Sequence, residues 1–126
     1  MKCENDMFLI VTIARKGWGD VVMDASKKAG AEGGTVVFGR GCGIHENNRL
    51  LGMMIEPEKE VVLTVVPKAQ VDKVLDSIVA AAKLHEPGNG MALVLPLAKV
   101  AGRVHMLEKY TAEKVTALAG NEQHEG

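Results

Sequence analysis

Two glycine-rich segments hold most of the residues in this chain that are suited to binding chemistry. Gly39-Arg40-Gly41-Cys42-Gly43 closes one apolar segment and opens an unpatterned stretch, and Pro87-Gly88-Asn89-Gly90 leads into another apolar segment. Glycines let successive N–H groups converge on one concavity, and such nests hold anions; the Arg40 guanidinium adds a planar fork that suits phosphate oxygens. Ordinary turns use the same residues without any ligand. On residue types alone both readings stand. Lys99 and Arg103 would complete a phosphate cradle if the fold brings them to the two turns.

Other chemistry is less well supplied. His45, His85, His105 and His124 are far apart, and neither Cys3 nor Cys42 has a second cysteine at zinc spacing, so no local metal site is expected. Ser26 and Ser77 fall within helix-patterned segments, away from any glycine-flanked nucleophile turn. Cys42 lies between glycines with no base beside it in sequence. The chain is therefore not expected to be an enzyme.

The segments that must position these residues are regular. Met7 to Ala14 is a continuous apolar run rich in β-branched residues, as expected of a central strand. Asp20 follows a Gly17-Trp18-Gly19 turn, where a helix wants an N-cap or first-turn acid. Val21, Val22, Ala25 and Ala29 then form the apolar stripe of a helix that Gly30 stops. Trp18 is expected to pack over that helix. A second strand spans Thr35 to Arg40. From Gly41 to Glu58 no period holds, which predicts a long loop carrying a hairpin extension from Arg49 to Ile55. Glu60 to Val66 is a third strand, ended by Pro67; Val71, Val74, Leu75, Ile78, Val79 and Ala82 give a second amphipathic helix; Met91 to Leu95 is a fourth strand. A short helix is expected from Ala112 to Ala119, before a polar end. The order predicts an α+β, ferredoxin-like βαββαβ unit: a four-stranded antiparallel sheet with both helices on one face. Strands this apolar on both sides imply subunits packed sheet against sheet.

Composition narrows the function. The 126 residues suit a single domain, 1–126, and 15 basic against 16 acidic side chains leave a formal charge of -1. Binding nucleic acid through bulk charge needs a cationic surplus, and aromatics at 3% offer few stacking platforms, so no nucleic-acid partner is expected. The longest apolar run falls far short of the ~20 residues of a bilayer span, so no membrane insertion is expected. The acidic N-terminus does not resemble a signal peptide, and two cysteines make no disulfide framework; the expected location is cytoplasmic.

The segment Gly34-Thr35-Val36-Val37-Phe38-Gly39-Arg40-Gly41, the long central loop, Glu60-Val61-Val62-Leu63-Thr64-Val65-Val66-Pro67 with the helix after it, and Gly88-Asn89-Gly90 together resemble the PII nitrogen-regulatory superfamily, from Phe8 to about Arg103. The resemblance implies a homotrimer whose intersubunit clefts bind an adenine nucleotide, ATP, ADP or AMP, with magnesium left open. It makes 41–58 the T-loop, which contacts a membrane transporter or metabolic enzyme, 87–90 the phosphate-wrapping B-loop, and 106–126 a C-terminal extension. Candidate nucleotide-binding residues are Gly39, Arg40, Gly41, Gly88, Asn89, Gly90 and Arg103; candidate partner contacts are Glu46, Arg49, Met53 and Met54. Met91 stands where typical members have a Lys, Gly41 where they have a Gln that positions magnesium and 2-oxoglutarate, and the loop has no Tyr to nucleotidylate. The chain thus resembles a divergent member with altered nucleotide preference. The alternative is a related cation-tolerance-like trimer that binds metal through His45, His85 or His105 with Cys42.

Overall fold

The computed structural model describes residues 6–43, 48–50, 53–55 and 57–102, and for 48–50 and 53–55 the backbone alone. In chain order the elements are β1 (Met7–Arg15), α1 (Gly19–Lys28), β2 (Thr35–Arg40), β3 (Asn48–Leu50), β4 (Met53–Ile55), β5 (Glu58–Pro67), a 3-10 turn (Lys68–Gln70), α2 (Val71–Ala81) and β6 (Gly90–Pro96). Four strands form one antiparallel sheet in the order β2-β5-β1-β6, and β3 and β4 form a separate hairpin. This is the ferredoxin-like arrangement the sequence predicts. The hairpin in the central loop is present too, with Arg49 opposite Met54 and Leu50 opposite Met53. The expected helix at 112–119 lies outside the described residues.

The two most apolar strands, β1 and β5, are the central pair, in register from Met7 opposite Pro67 to Arg15 opposite Lys59. Side chains alternate faces along a strand. Ile10, Thr12 and Ala14 from β1 and Val62, Thr64 and Val66 from β5 are buried beneath the helices with Val22, Val74, Ile78 and Ala82. Small residues let the two helices approach: the Ser77 hydroxyl donates to Ala25 O at 2.9 Å, and the Ser26 hydroxyl donates to Met23 O at 2.8 Å. Both serines are thus committed to backbone acceptors.

Helix α1 differs from expectation in its stripe. Val22, Ala25 and Ala29 are buried as expected, but Val21 is exposed, and Gly19 and Ser26 are buried with the stripe. Adjacent helical residues point about 100° apart, so Val21 and Val22 do not share the centre of one face. Asp20 sits in the first turn, not at the cap, which is Trp18 without a side-chain cap bond. The far end follows the sequence: Gly30, at φ 117, donates to Lys27 O, and Ala31 donates to Ser26 O at 2.9 Å, a Schellman closure.

Candidate cleft at the root of the central loop

Where β2 and β5 run out towards the central loop, Arg40 lies opposite Glu58, and the Gly41 N–H donates to Pro57 O at 3.1 Å. This stem bounds an open cleft of about 440 Å³ lined by Lys16, Phe38, Gly39, Arg40, Glu58 and Lys59. Three cations and one carboxylate therefore face a space the size of a small ligand site. Phe38 is 77% exposed on the edge strand and offers an aromatic face beside the charges.

The β1–α1 turn forms the opposite wall. A Glu60 oxygen from β5 accepts the Gly17 N–H, which fixes the backbone on which Lys16 stands. The Lys16 ammonium then pairs with the Glu58 carboxylate at 2.9 Å. That hydrogen bond and the attraction behind it hold the Glu58 carboxyl below its usual range and raise Lys16; Arg40 adds a smaller pull on Glu58. Trp18 is partly buried against the core, with the Arg15 guanidinium 5.3 Å from its ring centroid.

The candidate residues separate into distinct roles. Gly39 and Gly41 are not among the glycines with positive φ, and Gly39 lies within β2. The segment is therefore extended as far as Arg40, and neither glycine supplies the left-handed residue of a nest. What it presents to the cleft is the Arg40 fork and, at Gly39, open space where a Cβ would meet nothing within 4 Å. Gly88 and Gly90 do have positive φ, 83 and 121. A Cβ on Gly90 would fall 2.0 Å from Ile13 O, so that glycine is required by the strand beside it; one on Gly88 would meet open space. The Asn89 amide turns inward and donates to Lys83 O at 3.0 Å and to a Glu86 carboxylate oxygen at 3.3 Å. Its side chain shapes the turn.

The register shows what the fold brings together. Phe38, Glu60, Ala14 and Gly90 occupy one row across the sheet. Both glycine segments thus share one end of it, but on opposite edge strands, three strand spacings or roughly 14 Å apart. Lys99 follows β6 at the other end, where Leu97 N–H donates to Met7 O at 2.9 Å, so it does not join Gly88 and Gly90 within one chain. Arg103 and Glu46 lie outside the described residues, and Arg49, Met53 and Met54 are placed by backbone only. Among the described residues no group of three His, Cys, Asp or Glu side chains is arranged to hold a metal; Cys42 is exposed, and His45 and His105 are outside that set. No helix among them is long and apolar enough to cross a membrane.

Sequence reasoning did not single out Lys16, Glu58 and Lys59 for the cleft. Lys16 and Glu58 are far apart in the chain, and only the β1–β5 register, not any local spacing, places them side by side.

Comparison with known proteins agrees with this fold. A solved structure of Arabidopsis thaliana PII bound to citrate matches with a TM-score of 0.59 and 29% identity, covering 75% of this chain and 79% of that one. No curated protein matches significantly. The family model described as nitrogen regulatory protein P-II matches residues 7–104, which takes in every strand and helix described above. With that span, the chain belongs to the PII nitrogen-regulatory family.

Proposed function

We propose that this protein is a PII-type regulator that binds an adenine nucleotide in clefts between the subunits of a homotrimer and controls a transporter or enzyme through its 41–58 loop. The observation that carries this reading is the cation-lined cleft at the loop's root, with Lys16, Arg40 and Lys59 around it. An anion bound there touches the stem from which the loop springs, so ligand and loop conformation are linked by differential binding. The glycine turn at 88–90 lies on the opposite edge of the sheet, and a second copy that brings its own edge alongside would complete the site. The relative captured with citrate, a small polyanion, supports an anionic ligand class.

Met91, following the glycine turn, removes a charge-assisted phosphate contact that a Lys would make, and such contacts are worth about 1.5–3 kcal/mol. Preference therefore moves from ATP towards ADP or AMP. Calorimetric titration of the purified protein with ATP, ADP, AMP and cyclic nucleotides tests this. Saturable heat near one ligand per subunit, with ATP no longer the tightest, is expected; flat heats for all of them would reject nucleotide sensing.

A further inference from the structure

The cleft contains its own competitor for an anion. Glu58 is the only carboxylate among its lining residues and already occupies the Lys16 ammonium at 2.9 Å, opposite Arg40 in the strand register. We propose that the Lys16–Glu58 ion pair is an exchangeable latch: an anionic ligand binds by drawing Lys16 away from Glu58, so Glu58 competes with the ligand and senses occupancy at the root of the central loop. This rests on the cleft being a ligand site, as proposed above, and adds to it the residue that competes with the ligand for Lys16.

Three features make the exchange feasible. Both side chains are well exposed, at 72% and 61%, and exposed pairs contribute little, so they exchange readily. The backbone beneath Lys16 does not have to move, because Glu60 holds the Gly17 N–H independently of the pair. Glu58 is the first residue of β5, next to Pro57, whose carbonyl closes the loop stem on Gly41 N–H. When Lys16 leaves, Glu58 retains Arg40 as its cationic neighbour, and the charge balance changes at the stem itself.

The latch makes a specific energetic prediction. In the native protein Lys16 gains a ligand contact but loses Glu58, so removing Lys16 costs little. Without Glu58 the same removal costs the whole contact. The two substitutions must therefore be coupled, whereas general charge effects at separate positions would simply add. Trp18 is the chain's one tryptophan and stands in the same turn, so its fluorescence follows the titration.

The test titrates the native protein, Glu58→Gln, Lys16→Gln and the double variant with ATP, ADP, AMP and inorganic tripolyphosphate. Glu58→Gln is expected to bind each anion several-fold tighter, and Lys16→Gln is expected to weaken binding several-fold more in the Glu58→Gln background than in the native one. Unchanged affinity in Glu58→Gln, or additive effects, would overturn the latch while leaving nucleotide binding intact. Tripolyphosphate binding with the coupled pattern but no response to any nucleotide would keep the latch and reject the nucleotide reading. No response from any variant to any of the four anions would reject both.

Discussion

A glycine beside a candidate ligand site can be there for the ligand or for the chain, and Gly88 and Gly90 differ in what the neighbouring chain demands of them. At Gly90 the neighbouring strand decides: its φ is 121, and an added Cβ would lie 2.0 Å from the Ile13 carbonyl oxygen, which is backbone and cannot step aside. Gly88 has a φ of 83 with open space beyond it. Gly90→Ala is expected to lose about 2 kcal/mol or more of stability, because β6 must lift from β1 where it begins. Gly88→Ala carries only the left-handed backbone cost of about 1–2 kcal/mol and keeps the sheet. Urea denaturation of both variants checks the order; equal losses would mean that the Gly90 contact relaxes. The sequence predicts Gly88, Asn89 and Gly90 together as nucleotide contacts. The Asn89 side-chain amide donates to Lys83 O and Glu86, a direction that residue type does not carry because it depends on the loop closing around it.

Elements were legible where one physical rule acted alone. The apolar runs marked β1 and β5, and Gly30 marked the end of α1, because a Schellman closure needs a left-handed residue and glycine adopts it freely. The end of α2 uses the same closure without that signal. Leu84 N–H donates to Val79 O at 3.1 Å, and the residue in the left-handed position is Lys83, at φ 53. A left-handed L-residue costs about 1–2 kcal/mol, and glycine returns about 0.4–1 kcal/mol of that through its freer unfolded chain. Lys83→Gly is therefore expected to stabilise the protein by about 0.5–1 kcal/mol. Thermal unfolding should show a rise of a few degrees, with Lys83→Ala unchanged; a glycine variant no better than the alanine one would contradict the strain. Strand order was the part that linear spacing does not carry. The two glycine segments end on β2 and β6, opposite edges of the sheet, so a shared cradle needs a second subunit, as the expected intersubunit cleft requires.

At the scale of the whole molecule, one face of the sheet has its helices, and the other, among the described residues, is covered at its Met7 end by Leu97 and Val100 and open beyond it. The register aligns Leu95 with Leu9 and Val65, Leu93 with Val11 and Leu63, and Met91 with Ile13, Val61 and Val37, in apolar rows across that open face. Met91 is 54% exposed, Val37 46%, and Leu93 and Leu95 44% each. Burying a large aliphatic side chain fully is worth about 1.5–3 kcal/mol, so three such rows in each subunit make a strong drive to associate. The strands read as apolar on both sides for this reason, and the proposed trimer would bury these faces against one another. Leu93 lies mid-strand in β6, far from the cleft and from the Gly90 contact. Leu93→Asp places a charge with no partner in that buried surface, while the helix-covered core of each subunit stays intact. Sedimentation is expected to show trimers for the native chain and monomers for Leu93→Asp, with native-like circular dichroism in both. Nucleotide heats should vanish with the assembly, because the cleft then lacks the neighbouring edge. A variant that stays trimeric would move the interface off this face, and a monomer that still binds nucleotide at full affinity would place the whole site within one subunit.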